Sequence, residues 1–281
     1  MTSGAGDGTE TLVIRLCQRE SASCGACCGV YNRRDFGRSA VRAELRRRTR
    51  SLSGLPRTPE AFQRAAAALA AEGPPPIFPS VHACPLFGYL DAAESRVGCL
   101  GHPAATGRID LRDCGAYDSG TCDAFLCPSH AWLEEDEAAL AEAACAGDSW
   151  LYGLVVTDPG YLRATLSAVA DLAGSPIRLV DLDAPAFREA FRRLLAAKEE
   201  LAPGSDGLFA AFRGARAGAA DAPDPDPPRG PGPARPRDPA LAASALLEAM
   251  GADPRSGNDA DQLAEVLQAR LEVCARALRP R

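Results

Sequence analysis

The chain has 281 residues, a formal net charge of -6 and 46% hydrophobic residues, enough apolar material for one large or two modest globular domains. The acidic balance argues against a dedicated nucleic-acid binder, and no apolar run approaches membrane-spanning length. Residues 1–10 are rich in Gly and Ser and lack both a basic leader and an apolar signal stretch. A cytoplasmic, reducing setting is therefore expected, in which the 11 cysteines are free or metal-bound rather than disulfide-paired.

In chain order, residues 12–16 form an apolar run rich in β-formers that reads as a strand ending at Cys17. The loop after it carries Cys24-Gly25-Ala26-Cys27-Cys28. Phe36, Val41 and Leu45 recur at roughly helical spacing over residues 35–50. Thr58-Pro59-Glu60 then opens an Ala-rich helix with a capping residue, a proline and an early acid, and Gly73 with three prolines stops it. Residues 80–130 are dense in Gly, Pro and turn formers, and read as loops and short strands. So little periodicity buries little apolar area, and a bound metal would supply the missing stabilisation.

A helix is predicted over residues 129–146, and Asp158-Pro159 and Asp183-Ala184-Pro185 start two more, separated by a candidate strand at 177–182. Between residues 222 and 239 nearly every second residue is proline, the pattern of an extended linker. Asp238-Pro239 begins a further helix ended by Gly251, and Asn258-Asp259 another, on which Leu263, Val266, Leu267, Leu271, Cys274 and Leu278 form an apolar stripe. The expected fold is α+β, mostly α: a disordered start (1–10), a cysteine-cluster domain (11–205) with its metal-binding core at 12–130, a Pro-rich linker (214–238) and a helical tail (239–281).

The residues that carry chemistry are the cysteines and histidines. Nine of the 11 cysteines and all three histidines fall within residues 17–130. Thiolate sulfur is soft and polarisable, and a CxxC turn such as Cys24 to Cys27 lets two sulfurs reach one ion. Adjacent Cys28 cannot join Cys27 on one tetrahedral ion without strain, so it faces a second metal, bridges two, or stays free. Later come Cys84, Cys99, Cys114, Cys122 and Cys127, with His82, His102 and His130 each close to a cysteine. One zinc needs four ligands, so these thiols exceed one site and imply two metals, or one cluster with spare thiols. Cys145 and Cys274 lie in helical patterns and read as packing.

The Cys-rich triplet followed by Cys84-Pro85-Leu86-Phe87 and then Gly98-Cys99-Leu100 resembles the YkgJ family of zinc- or iron-chelating cysteine-cluster proteins, the CxxCxxCC type, over about residues 12–130. The resemblance implies metal ligands at Cys24, Cys27, Cys28, Cys84 and Cys99. This chain departs from the pattern in having Ser21 where the first cysteine would fall, with Cys17 nearby, and in only echoing the later Arg-Pro and Cys at His102-Pro103. Cys122 and Cys127 are taken to complete the set.

The expected function is thus chelation of zinc or iron, with an iron-sulfur cluster of the 4Fe-4S kind among the forms of iron, in a structural, storage or chaperone-like role. One alternative is an iron-sulfur-dependent enzyme, since flagellin lysine N-methylases carry a similar cluster. Another is an interaction module with a structural zinc, in which the eight arginines of residues 33–50 and the tail recruit a protein partner. The partners expected are a metal ion and a protein, with no membrane and no nucleic acid.

Overall fold

The computed structural model describes residues 15–77, 79, 82–200, 238–250 and 258–278. The expected disordered start, the Pro-rich linker up to residue 237 and residues 12–14 of the expected first strand lie outside the described residues. Leu16, at the end of that expected strand, sits buried in a turn instead, its carbonyl accepting from Tyr152 Oη at 2.9 Å.

Two long helices follow the first cysteine loop, α1 (Arg38–Ser53) and α2 (Pro59–Glu72). Thr58 caps α2 as its residue type predicts, its side chain accepting from Ala61 N at 3.4 Å. The expected arginine-rich face of α1 is largely engaged in ion pairs: Arg38 with Asp148, Arg42 and Arg46 with Glu94, Arg47 with Glu44 and Glu72, and Arg48 with Glu44. Its inner face meets the antiparallel pair β1 (Phe87–Tyr89) and β2 (Val97–Cys99), in which Phe87 stands opposite Cys99. Thr49 ties the two together, its Oγ1 accepting from Tyr89 N and donating to the carbonyl of Leu45, both at 2.8 Å.

Short helices α3 (Pro103–Thr106), α4 (Ser119–Ala124) and α5 (Ser129–Trp132) complete the cysteine-rich half. The single helix expected over 129–146 is two, because the chain is extended at Leu133 and Glu134 before α6 (Glu135–Ala144). Glu134 opens α6 with a reciprocal capping box, its backbone N donating to Glu137 Oε2 at 2.9 Å. All eight residues of α7 (Ser149–Val156) are buried. Such a helix has no polar face and therefore no amphipathic signature in sequence.

The helices α8 (Pro159–Ala173) and α9 (Pro185–Leu195) start at the predicted prolines. Between them the candidate strand at 177–182 is replaced by a 3-10 turn, Leu179–Asp183, with Leu179 and Val180 exposed. Asp181 accepts from Arg178 N at 2.7 Å, closing a local turn where a lone strand would have had no neighbour to pair with. The predicted C-terminal helices form as α10 (Pro239–Ala249) and α11 (Asn258–Leu278) and pack on α8 and α9. On α11, Leu263, Leu267, Leu271 and Cys274 are buried as the stripe predicts.

Apolar burial is divided between two cores. The larger joins Leu16, Cys24, Tyr31, Val41 and Leu45 to α6 through α11, and the smaller comprises Leu52, Phe62, Ala66, Leu69, Cys84, Leu86, Leu100, Leu111 and Cys114. A fully buried Leu or Phe in either contributes about 1.5–3 kcal/mol. Cys28 touches both. Among the described residues no helix is long and apolar enough to cross a membrane.

Candidate metal centre

Three stretches distant in sequence bring thiols together. The first is a hooked loop before α1. Gln18 and Ser23 form an isolated antiparallel bridge, and Cys24 N donates to the carbonyl of Cys17 at 3.1 Å. Both arms of the hook are fastened to β2, where Gln18 Nε2 donates to Val97 O at 2.9 Å and Val97 N donates to Ser23 Oγ at 2.8 Å. The cysteine turn then reverses within a few residues, Gly29 N donating to Ala26 O at 2.9 Å and Val30 N to Gly25 O at 3.2 Å.

Two glycines of this turn are required by their surroundings. A Cβ on Gly25 would stand 2.3 Å from the ring of Phe87, which is buried against it. Gly29 has φ +76, a left-handed conformation that L side chains adopt only with strain, and a Cβ there would lie 2.5 Å from the carbonyl oxygen of His82. This close approach docks the second stretch on the first: Cys84 N donates to the carbonyl of Cys28 at 2.9 Å. The third stretch is α4, carrying Cys122, with the turn that follows it, carrying Cys127. Arg15 pins it to the first loop by donating to the carbonyl of Cys122 at 3.2 Å and to that of Asp123.

The three stretches wall a cavity of about 1170 Å³. Six of the seven cysteines expected as ligands line it: Cys24, Cys27, Cys28, Cys99, Cys122 and Cys127. Cys84, the seventh, is buried and does not line it, but is held beside Cys28 by the backbone bond between them. Cys17 also lines the cavity, so seven cysteines line it, with Cys84 next to them. Only the tertiary pairing with Cys24 distinguishes Cys17 from any other cysteine at a loop entrance. Cys114 does not join them; its thiol points to Pro59 O at 3.6 Å within the smaller core. Cys145 and Cys274 are fully buried in the larger core, as their helical settings predict.

Most of these thiols are held in the protonated form. Burial pushes Cys24 and Cys28 well above the ordinary thiol value, with the charge of Cys84 as the second cause at Cys28, and burial with Cys84 pushes Cys99 up to about 12. Cys127 is the exception. It accepts a hydrogen bond from the Cys27 thiol, which outweighs its burial and lowers it to about 7. Cys27 keeps the proton it donates, and this bond and its burial raise it.

The histidines take unequal positions. His130 lines the cavity, but its Nε2 accepts from Leu16 N at 2.9 Å, and burial followed by the charges of Arg15 and Arg19 lowers its pKa from the ordinary imidazole value. His102 also lines the cavity and caps α3, its Nδ1 accepting from Ala104 N at 3.1 Å. His82 is exposed, its ring edge-on to Tyr117. Three arginines stand on the cavity wall, Arg15, Arg57 and Arg112, and the exposed apolar side chains of Leu90, Phe125 and Leu126 border it.

The donor chemistry suits a soft ion, because every sulfur that could ligate one is a free thiol. The geometry is not that of a loaded site. As the side chains stand, no group of three or more His, Cys, Asp or Glu among the described residues is placed to hold a metal ion. The thiols share a cavity without converging on a point. No protein-family model, no curated protein and no solved structure matches the chain.

Proposed function

We propose that the chain binds zinc or iron, the latter as the ion or as an iron-sulfur cluster, through the thiols of Cys24, Cys27, Cys28, Cys84, Cys99, Cys122 and Cys127, joined by Cys17. The observation that carries this reading is that seven cysteines from separated loops and from β2 line one cavity, with Cys84 hydrogen-bonded to Cys28 beside it, while Cys114, Cys145 and Cys274 stay outside it. Inert buried thiols would not need to share a wall. The likeness of the Cys-Gly-Ala-Cys-Cys turn to the YkgJ type of cysteine cluster points the same way. Because thiols bind a metal as thiolates, loading would release protons, and it would draw together sulfurs that line the cavity. The metal, when bound, would cross-link stretches distant in sequence. The expectation that residues 80–130 bury little apolar area is not met, since Leu86, Phe87, Tyr89, Val97, Leu100 and Leu111 are all buried.

Elemental analysis of anaerobically purified full-length protein, read with its absorption spectrum, tests the proposal. Metal at one or more equivalents is expected, brown with sulfur-to-iron bands for iron and colourless for zinc. Sub-stoichiometric metal in both zinc- and iron-supplemented preparations would sink it.

The size of the cavity favours a second reading, an iron-sulfur enzyme of the kind represented by the lysine N-methylases. About 1170 Å³ exceeds the few hundred Å³ that suffice for a small organic ligand, and Leu90, Phe125 and Leu126 offer an apolar approach. An anionic naphthalene dye titrated into metal-loaded protein should bind there and be lost in Phe125→Asp. Absence of binding leaves chelation alone.

A further inference from the structure

We propose that the cavity bordered by Leu90, Phe125 and Leu126 binds an amphipathic organic carboxylate, its head group held by Arg15, Ser129 and His130 and its apolar body lying along the rest of the wall. The inference rests on the second reading above, which places an organic molecule in this cavity, and it names the chemical class of that molecule.

The head-group site is assembled by the backbone. Leu16 N donates to His130 Nε2 at 2.9 Å, which sets Arg15, the residue before Leu16, beside residues 129–130. All three residues line the cavity. Ser129 is wholly buried, yet its Oγ has no nitrogen or oxygen partner; its polar neighbour is the thiol of Cys127, a weak acceptor. Buried hydroxyls are ordinarily satisfied, and one left over on a cavity wall marks a place for an incoming polar atom. With Nε2 accepting, the ring proton of His130 sits on Nδ1, where no described residue accepts it. Arg15 donates to the carbonyls of Cys122 and Asp123 and pairs with no carboxylate among the described residues. Carbonyl dipoles solvate its charge without cancelling it.

The charge of the whole wall leans the same way. Arg15, Arg57 and Arg112 stand there against Asp91 and Asp123. Arg112 is neutralised by Asp110 and Asp123, and the Asp91 carboxyl is saturated by Ser95 N, Ser95 Oγ and Arg96 N. Arg57 lies over the Phe62 ring and donates to the carbonyls of Leu52 and Ser53. Arg15 is therefore the cation with a serine and a histidine donor beside it. Three donors around one uncancelled positive charge suit an oxygen anion of single charge, and a planar carboxylate matches the guanidinium fork.

The remaining wall is apolar. Leu16, Phe87, Leu100 and Val156 are buried on it, and Leu90, Phe125 and Leu126 are between 41% and 46% exposed at its border. A metal ion alone gives no reason for a space of about 1170 Å³ walled by such side chains, whereas an organic ligand does.

Dodecanoate is the probe, titrated into full-length protein by isothermal calorimetry, with dodecanol and dodecyltrimethylammonium as its neutral and cationic counterparts. Dodecanoate should bind at a single equivalent and at least about tenfold more tightly than either counterpart. Arg15→Met should weaken it by about tenfold and Ser129→Ala by about fivefold. Ser129→Ala removes an unsatisfied hydroxyl and should keep its fold, so it decides the matter if Arg15→Met is misfolded by circular dichroism. Arg57→Met, on the same wall, should leave the affinity within about twofold. Equal binding of the three amphiphiles overturns the anion site while leaving the cavity a site for organic molecules. So does dodecanoate binding that Arg15→Met and Ser129→Ala leave unmoved, or that Arg57→Met weakens as much as Arg15→Met does. Binding by none of the three overturns both.

Discussion

Substituting Gly29 by Ala isolates the contact that docks the second cysteine stretch on the first. Two penalties combine there. The left-handed backbone, φ +76, costs an alanine about 1–2 kcal/mol. The new Cβ would also sit 2.5 Å from His82 O and 2.7 Å from Ala83 Cα, both backbone atoms that cannot swing aside. Overpacking of this kind costs about 1–3 kcal/mol, for a sum of roughly 2–5 kcal/mol. Gly107 is the internal control: its φ is +77, yet nothing lies within 4 Å of the Cβ position, so Gly107→Ala should show the backbone penalty alone. At about 2–4 °C per kcal/mol for a chain of this class, thermal melts should place Gly29→Ala below Gly107→Ala by several degrees. Gly29→Ala should also weaken metal uptake, since it loosens the contact that holds Cys84 against Cys28. Equal melting of the two variants, with unchanged metal content, would refute the argument that this contact positions the site.

Three further outcomes are expected. The chain's single lysine, Lys198, is wholly buried with Nζ 2.7 Å from Asp158 Oδ2, so Lys198→Met strands a buried carboxylate and should cost about 3–5 kcal/mol in urea melts. The added Asp158→Asn should restore part of that, and additive losses would contradict the pairing. Cys145→Ala and Cys274→Ala should leave metal content unchanged and lower stability by roughly 0.5–1.5 kcal/mol, as for the loss of a methyl-sized group; loss of metal from either would enlarge the ligand set. Arg112 holds the Asp110 carboxyl at about 2, below its ordinary 3.8, so this pair stabilises the fold above pH 3.8 and its contribution is lost as the pH falls through 2. Arg112→Met should return the Asp110 carboxyl titration, followed by NMR, towards 3.8, and an unmoved curve would show that the guanidinium is not the cause.

Helix starts were legible in the chain wherever a local capping signal stood beside a proline. Thr58-Pro59, Asp158-Pro159 and Asp238-Pro239 each begin a helix whose capping side chain accepts a backbone N–H as its type predicts. Local signals failed where a competing interaction won. Residues 129–146 look continuously helical, but the extended pair Leu133 and Glu134 gains a capping box that only a break allows. Residues 177–182 carry strand-forming side chains, and no strand among the described residues lies beside them to pair with.

The same division applies to the cysteines. The CxxC turn and the packing roles of Cys145 and Cys274 follow from spacing and periodicity, which are properties of short stretches of chain, whereas Cys84 and Cys99 are singled out by the resemblance to the YkgJ pattern. That Cys17 belongs with the cluster and Cys114 does not, and that Cys27 and Cys28 face different neighbours, was decided by the docking of loops onto β2 and of residues 82–84 onto Gly29. These contacts join residues up to 79 positions apart, as between Gln18 and Val97. Sequence alone therefore determined that soft ligands are abundant and where the local turns lie. Tertiary structure decided which thiols share a wall, because side-chain neighbours across a cavity are set by long-range packing that leaves no periodic trace in the chain.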